Sequence, residues 1–282
     1  MQFDKIKSHA KINISLNILG KMKSSLHKIE SLVSFLDLSD DIFIKKIVNN
    51  NHIIKFKGEF SKNIPKKNTI TNLLKVLENI NKLKKQKYLI VVKKNIPQKS
   101  GLGGGSMNAA SIFKYLIAKQ KINLRKKQIL QISSKIGSDV ILGMSQKKSL
   151  IYNNKKLKII NKNLKLYTLL VKPNFGCSTR KIYKNVKNFS KPSLKNVKIF
   201  NLNNKFLAKL NNGLEKPAFD KYKKLKNIKN FMEKVDKILF ARMTGSGSTI
   251  IGYFNSKKDA LNARKILKKK YKNYWFNLSK TI

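Results

Sequence analysis

Residues 101–119 read GLGGGSMNAASIFKYLIAK, a glycine-rich turn that runs directly into an amphipathic helix. Four of the 13 glycines in the chain lie within the first five of these positions. Glycines before a helix let backbone N–H groups converge on an anion, and the helix dipole favours negative charge at the same place. A mobile linker is the plain alternative, but this turn stands between an apolar strand at 88–92 and a helix. The stretch therefore predicts a phosphate-binding loop.

The common phosphate-binding motifs do not describe this loop. A P-loop requires Lys and then Ser or Thr after its last glycine, whereas Ser106, Met107 and Asn108 follow here. The GxGxxG dinucleotide motif fails because Ser106 stands where its last glycine belongs, and the HRD and DFG motifs of protein kinases are missing. Ser106 and Asn108 add side-chain donors at the start of the helix. The sequence thus indicates a different kind of phosphate site.

The charge of the chain suggests a second class of function. Its 282 residues include 63 Lys and Arg against 13 Asp and Glu, a formal net charge of +50, which would suit a nucleic-acid binder. Only four of these basic residues are Arg, although phosphate and base recognition favours the rigid guanidinium group. Lys, Asn and Ile share A/T-rich codons, so genomic base composition explains their common excess. We expect no specific nucleic-acid partner, and a lysine-rich binder of nucleic acid or another acidic partner stays as the alternative.

Cysteine, histidine and apolar patterns exclude several other classes. One cysteine cannot form an intramolecular disulfide, and three dispersed histidines do not make a zinc cluster. No apolar run approaches the ~18 residues of a membrane-spanning helix. The N-terminus alternates polar and apolar residues, unlike a signal peptide. We expect a soluble, cytoplasmic protein without a membrane partner, and the sequence carries no signal for an oligomeric state.

The length and the apolar periodicity predict an α+β fold with two domains, residues 1–155 and 156–282. The predicted strands lie near residues 10–19, 31–38, 41–48, 88–92, 149–152, 157–160, 166–171, 240–254 (two strands joined by a glycine turn) and 272–278. The predicted helices begin at Asn68 or Thr69 and after Gly105, and cover residues near 125–136, 202–211, 220–236 and 256–269.

Asp139 lies in the turn IGSDVILG, residues 136–143, and is one of only 13 acidic residues. Its apolar flanks favour a role as general base or as the carboxylate that orients a hydroxyl for phosphoryl transfer. The alternative is a cap at the start of a helix. Lys11 lies on the polar face of the strand at 10–19, because the isoleucines that alternate with it face a core. An amine on that face could complete the site by polarising a substrate oxygen.

Four segments in order resemble the GHMP kinase superfamily, and together they cover essentially the whole chain. They are AKINISLNILGK (10–21), IPQKSGLGGGSMNAA (96–110), IGSDVILG (136–143) and RMTGSGSTIIGYF (242–254). The triple glycine followed by Ser is most similar to the members that act on the cytidyl diphosphate of methylerythritol in the non-mevalonate isoprenoid route. The resemblance implies a two-domain fold with the active site in the interdomain cleft. It also implies transfer of the ATP γ-phosphate to the 2-hydroxyl of that small-molecule substrate.

The resemblance further implies roles for particular residues. Lys11 and Asp139 match the catalytic pair of the superfamily. The positions that match its nucleotide site are Asn68, Lys94, Gly101, Gly103, Gly104, Gly105, Ser106 and Asn108. The positions that match its substrate site are Asn13, His27, Thr179, Tyr183, Gly245 and Gly247, where His27 would read the cytosine and Tyr183 would stack on it. ATP and Mg²⁺ are the implied cofactors, with phosphate oxygens and water as most of the metal ligands.

The sequence departs from the superfamily pattern just before His27. Ser24, Ser25 and Leu26 stand where Asp-Gly-Tyr is usual, so an apolar wall replaces the second aromatic ring on the cytosine. The loss of one stacking contact would weaken cytidine binding by ~1–3 kcal/mol. A GHMP-type kinase that acts on another small alcohol is therefore an alternative function.

Overall fold

The computed structural model describes residues 2–22, 27–152, 156–162, 164–194, 197 and 202–282. The chain forms two compact units that interleave along the sequence. The first unit contains the residues up to Lys11, Leu38–Gln98 and Gly103–Gln146; the second contains Ile12–Asp37, Lys99–Leu102 and Lys147–Ile282. Both units combine helices and strands, which confirms the predicted α+β class. The boundary at residue 155 stays a prediction, because it refers to chain order rather than to these units.

The first unit places helices against a sheet. Its elements are the beginning of β1 (Asp4–Lys21), the end of β2 (His27–Ile47), β3 (Ile53–Lys57), α1 (Thr69–Asn79), β4 (Lys87–Lys93), α2 (Gly104–Lys119), α3 (Lys126–Ile136) and α4 (Val140–Ser145). Strand β4 runs antiparallel to β2, with Asp41 opposite Lys93, and parallel to β3. The predicted stripe of α1, which includes Leu73 and Leu77, packs with Phe113 of α2 in one apolar core. Burial of these faces holds the start of α2 in place.

The second unit is built on an antiparallel sheet in the order β10-β7-β9-β8. Its elements, besides the other parts of β1 and β2, are β5 (Ser149–Tyr152), β6 (Lys156–Ile159), β7 (Tyr167–Lys172), α5 (Thr179–Lys184), α6 (Asn204–Lys209), α7 (Glu215–Lys221), α8 (Lys223–Met232), β8 (Phe240–Met243), β9 (Ile250–Phe254), α9 (Lys257–Lys270) and β10 (Trp275–Lys280). Apolar residues of α8 and α9, among them Ile228 and Leu267, share a core with Val171 and Ile250 of the sheet.

Two predicted elements differ from the structure. The predicted strands 31–38 and 41–48 are one continuous strand, β2. The polar residues between them do not turn the chain, because the carboxylate of Asp40 is buried and accepts the backbone N–H groups of Asn95 and Ile96 at 2.7 and 2.8 Å. The predicted helix 220–236 is instead two helices, α7 and α8, which separate at Tyr222, where ψ is 78°.

The sequence predicts no membrane-spanning helix, and the helices of the structure can be compared with that prediction. Within the described ranges, no helix combines the length and the apolar character that crossing a bilayer requires.

Candidate active site

Lys11 and Asp139 meet in the first unit. The Nζ atom of Lys11 lies 3.1 Å from Oδ2 of Asp139, and the two side chains are 5% and 34% exposed. Asp139 immediately precedes α4, but its side chain makes no capping hydrogen bond within the described part of the chain. Asp139 thus occupies the N-cap position that the alternative interpretation expected, but its carboxylate is not used in capping among the described residues. The amine is enclosed while the carboxylate reaches solvent, so the carboxylate can meet the hydroxyl of a small molecule.

The glycine-rich loop leaves backbone donors at the start of α2. Gly103 is the N-cap residue with φ of 68°, a left-handed conformation that glycine adopts without strain. The N–H of Met107 bonds to the carbonyl of Gly103 at 2.9 Å and begins the helical ladder. The N–H groups of Gly104, Gly105 and Ser106 precede that bond and have no acceptor within the helix. These donors and the positive end of the helix dipole form a cradle for an anion.

The same loop lies against the Lys11–Asp139 pair. A Cβ atom added to Gly103 would lie 2.8 Å from Cγ of Lys11, so the lysine stem crosses directly over this glycine. A Cβ atom on Gly137 would lie 3.5 Å from the hydroxyl oxygen of Ser106. The anion cradle, the amine and the carboxylate therefore form one local cluster in the first unit.

Asn68 and Asn108 occupy different environments near this cluster. Asn68 caps α1, and its Oδ1 accepts the N–H groups of Ile70 and Thr71 at 2.9 and 3.2 Å. Its side-chain oxygen is thus committed to the helix. Asn108 lies in α2 and is buried, and its Oδ1 has no hydrogen-bond partner among the described residues. A buried acceptor without a donor is costly, so Asn108 is suited to a ligand donor such as a bound water.

Lys94 is also buried, and its ammonium pairs with the carboxylate of Asp40. A Cβ atom added to Gly104 would lie 3.3 Å from Nζ of Lys94. The lysine thus brings a second positive charge to the start of α2. The hydroxyl of Thr69 donates to the carbonyl of Gly105 at 2.7 Å and ties the start of α1 to the loop.

Asn13 and the C-terminal glycine turn meet in the second unit. The backbone N–H of Asn13 donates to Oγ1 of Thr244 at 3.0 Å, and its side-chain amide donates to Ser31 at 2.8 Å. A Cβ atom on Gly245 would lie 3.5 Å from Oδ1 of Asn13. Gly101 also reaches this turn, since a side chain there would overlap the carbonyl oxygen of Thr244.

Thr179 approaches the same turn from the first residue of α5. Its hydroxyl oxygen lies 2.8 Å from that of Ser246, between the two glycines predicted at the substrate end. Gly247 packs near Cys177, whose Sγ would lie 3.3 Å from a Cβ atom on that glycine. The structure thus brings Thr179, Gly245 and Gly247 together.

His27 and Tyr183 form an aromatic pair in the second unit, with ring centroids 5.0 Å apart and planes inclined at 47°. Burial lowers the pKa of His27 below its ordinary value of 6.5, and the positive charge of Lys21 lowers it further. The neutral imidazole offers one donor and one acceptor nitrogen. Ser24, Ser25 and Leu26, on which the expected change in cytosine stacking rests, lie outside the described residues.

Sequence reasoning missed several residues that shape these clusters. Asp40 could have been noticed because acidic residues are rare in this chain. Asn212 donates from Nδ2 to the carbonyls of Met243 and Gly245 at 2.7 and 2.8 Å and so fixes the glycine turn. No sequence signal distinguishes it, because asparagine is abundant throughout the chain.

Comparison with known proteins identifies the family of the chain. Residues 68–146 match the family model described as the GHMP kinases N terminal domain, and residues 193–273 match GHMP kinases C terminal. A 4-diphosphocytidyl-2-C-methyl-D-erythritol kinase of Pelagibacter ubique is 49% identical over 278 residues and covers 99% of both chains. A relative of the same name from Clostridioides difficile is 33% identical, over 98% of this chain and 95% of its own.

Solved structures share the fold. A crystal structure of 4-(cytidine 5'-diphospho)-2C-methyl-D-erythritol kinase superposes with a TM-score of 0.78 at 21% identity, over 98% of this chain and 99% of the other. The mevalonate kinase of Methanococcus jannaschii has a TM-score of 0.67 at 16% identity, over 99% and 98%. At these identities the similarity concerns the fold alone.

Proposed function

Because the chain belongs to the GHMP kinase family, and within it to the 4-diphosphocytidyl-2-C-methyl-D-erythritol kinases, we propose that it phosphorylates the 2-hydroxyl of that alcohol with ATP. The observation that carries the proposal is the carboxylate of Asp139 beside the Lys11 amine and the amide cradle of α2. Phosphoryl transfer depends chiefly on positioning and charge stabilisation, and this cluster can supply both.

In the proposed mechanism, the carboxylate of Asp139 accepts the proton of the substrate hydroxyl. As the proton leaves, the oxygen of that hydroxyl attacks the γ-phosphorus of ATP. A new oxygen–phosphorus bond forms, the bond from the γ-phosphorus to the β–γ bridging oxygen breaks, and ADP leaves. The side chain of Asp139 is 34% exposed, so the hydroxyl group of a substrate can approach it from solvent. The side chain of Lys11 is enclosed and contacts the same carboxylate. The ammonium of Lys11 stabilises negative charge on the oxygen as its proton departs.

The start of α2 would bind the ATP phosphates. The N–H groups of Gly104, Gly105 and Ser106 point from the helix terminus, where the dipole favours anions. Gly101 and Gly103 are part of the same proposal, because their positive φ angles shape the turn that exposes these donors. Lys94 and Asn108 complete the proposed nucleotide site, to which Asn68 would contribute through the position of α1, because its side chain is engaged in capping that helix.

The second unit would recognise the cytidyl end of the substrate. A neutral His27 can pair with a pyrimidine edge through its donor and acceptor nitrogens, and Tyr183 beside it offers a ring for stacking. Asn13, Thr179 and the turn with Gly245 and Gly247 are proposed to contact the remainder of the substrate.

We also propose Mg²⁺ as the metal that accompanies ATP. Within the described ranges, no three His, Cys, Asp or Glu side chains form a metal-holding group. The hydroxyl oxygen of Ser106, at the start of α2, nevertheless suits this ion, whose other ligands would be phosphate oxygens and water. When bound, Mg²⁺ would neutralise charge on the transferring phosphate. We place the reaction in the cytoplasm, with no specific nucleic-acid partner.

Phosphorylation of the cytidyl substrate by the purified protein with MgATP tests the proposal. We expect Asp139→Asn to lower kcat by about 10²- to 10⁴-fold, the usual contribution of a general base. Asp41→Asn is the matched control, because Asp41 forms a partly exposed pair with Lys5 at 3.6 Å. The proposed substrate would be refuted if another small alcohol were phosphorylated faster and cytidine nucleotides did not inhibit that reaction. The proposed kinase activity would be refuted if the protein bound nucleic acid or another acidic partner and phosphorylated no alcohol.

A further inference from the structure

A second buried ion pair lies beside the proposed phosphate cradle. The ammonium of Lys94, at the loop after β4, contacts the carboxylate of Asp40 in β2, and the two side chains are 5% and 0% exposed. The other carboxylate oxygen of Asp40 accepts the N–H groups of Asn95 and Ile96. One fully buried acid therefore holds both the amine of Lys94 and the backbone that follows it.

The amine of Lys94 also stands at the positive end of a helix. Its Nζ atom would lie 3.3 Å from a Cβ atom on Gly104, the first residue of α2. A cation beside a helix N-terminus is electrostatically unfavourable, and the carboxylate of Asp40, which also accepts two backbone N–H groups, offsets only part of that cost. A buried ion pair is also weak evidence for stability, because desolvation offsets much of the attraction. The pair is better explained by a ligand that carries negative charge.

The ammonium retains donors for such a ligand. An ammonium group has three N–H donors, and Asp40 is the acceptor found for it within the described part of the chain. Asp40 itself cannot touch a ligand, because its side chain has no exposed surface. In this respect it differs from Asp139, which reaches solvent.

We propose that Asp40 is a positioning residue that holds the ammonium of Lys94 against the phosphates of bound ATP. The inference rests on the proposed function, since it takes α2 as the phosphate site. It assigns Lys94 to the phosphates rather than to the base or ribose, and it assigns Asp40 no contact with the nucleotide.

The test compares MgATP with adenosine as ligands in calorimetric titrations, well below the Tm of each variant. Lys94→Met should weaken ATP binding about 10- to 100-fold, as expected for a lost charge-assisted hydrogen bond, and leave adenosine binding unchanged. Asp40→Asn keeps an oxygen for the two backbone N–H groups but removes the partner of the amine. Asp40→Asn should also weaken the binding of ATP but not that of adenosine. Without its carboxylate partner, the buried ammonium of Lys94 is destabilised and should move away from the phosphate site.

The double variant separates positioning from a merely structural role. If Asp40 acts through Lys94, then Asp40→Asn causes no further loss of ATP affinity once Lys94 is Met. Lys93→Met and Asp41→Asn are matched controls, because these two residues face each other across β4 and β2 and neither belongs to the proposed site. Each should bind ATP like the parent protein.

Three results would overturn the inference while leaving the proposed function intact. They are equal losses for ATP and adenosine in Lys94→Met, unchanged or tighter ATP binding in Asp40→Asn, and additive losses in the double variant. By contrast, a parent protein that does not bind ATP would defeat the proposed function itself.

Discussion

Gly103→Ala tests how closely the glycine loop controls Lys11. The added Cβ atom would lie 2.8 Å from Cγ and 3.1 Å from Cε of Lys11. These atoms belong to the enclosed stem of the lysine, not to a free end that could move into solvent. Ordinary contact at 3.4 Å therefore requires the stem to retreat by about 0.6 Å. Because the stem carries Nζ, the 3.1 Å approach to Asp139 must change with it.

The expected magnitudes differ for stability and for catalysis. A residue other than glycine at φ of 68° costs about 1–2 kcal/mol of folding free energy. Misplacement of a catalytic group by ~1 Å can cost about 10²-fold in rate, so a shift of this size should lower kcat by about 10- to 100-fold. The loss of activity should thus exceed what the loss of stability explains.

The assay measures kcat for the cytidyl substrate with saturating MgATP, together with urea denaturation of each variant. Gly252→Ala is the matched control, since its Cβ atom would approach Sδ of Met232 to the same 2.8 Å, within the core of the second unit. It should lower stability and leave kcat near that of the parent protein. If Gly103→Ala retained kcat within two-fold, or if Gly252→Ala lost as much, the argument from Lys11 would be refuted.

Three further predictions concern the second unit. Because burial lowers the pKa of His27 below its ordinary value of 6.5, the KM for the cytidyl substrate should rise on acidification with a midpoint below pH 6.5; a midpoint above pH 6.5 would contradict this. Burial raises the pKa of Cys177 to about 11, so iodoacetamide at pH 8 should alkylate the native protein far more slowly than the unfolded protein, and equal rates would exclude the buried thiol. Asn212→Ala removes two buried hydrogen bonds to Met243 and Gly245, and urea denaturation should show a loss of about 2 kcal/mol; a change under about 0.5 kcal/mol would argue against this anchor.

Local rules predicted the elements whose partners are near in sequence. The capping residue and the apolar stripe of α1 follow from side chains within one helix, and both are present in the structure. The glycine-rich start of α2 follows likewise from the conformational freedom of Gly103. The sequence pattern did not show whether residues 31–48 form one strand or two, and contacts with residues far along the chain decided this. The continuous strand β2 depends on Asp40 reaching backbone donors 55 and 56 residues away.

The sequence by itself determined the α+β class, the glycine-rich turn before α2 and the identity of the rare acidic residues that could serve phosphoryl transfer. Periodicity, glycine placement and residue chemistry are local properties, so they can be read along the chain. The resemblance named Lys11 and Lys94, but only the tertiary structure showed how they differ from the many other lysines. Lys11 and Lys94 are buried, and each has a carboxylate partner and a glycine of the loop beside it. Burial and pairing arise from residues far apart in sequence, and spacing along the chain does not encode them.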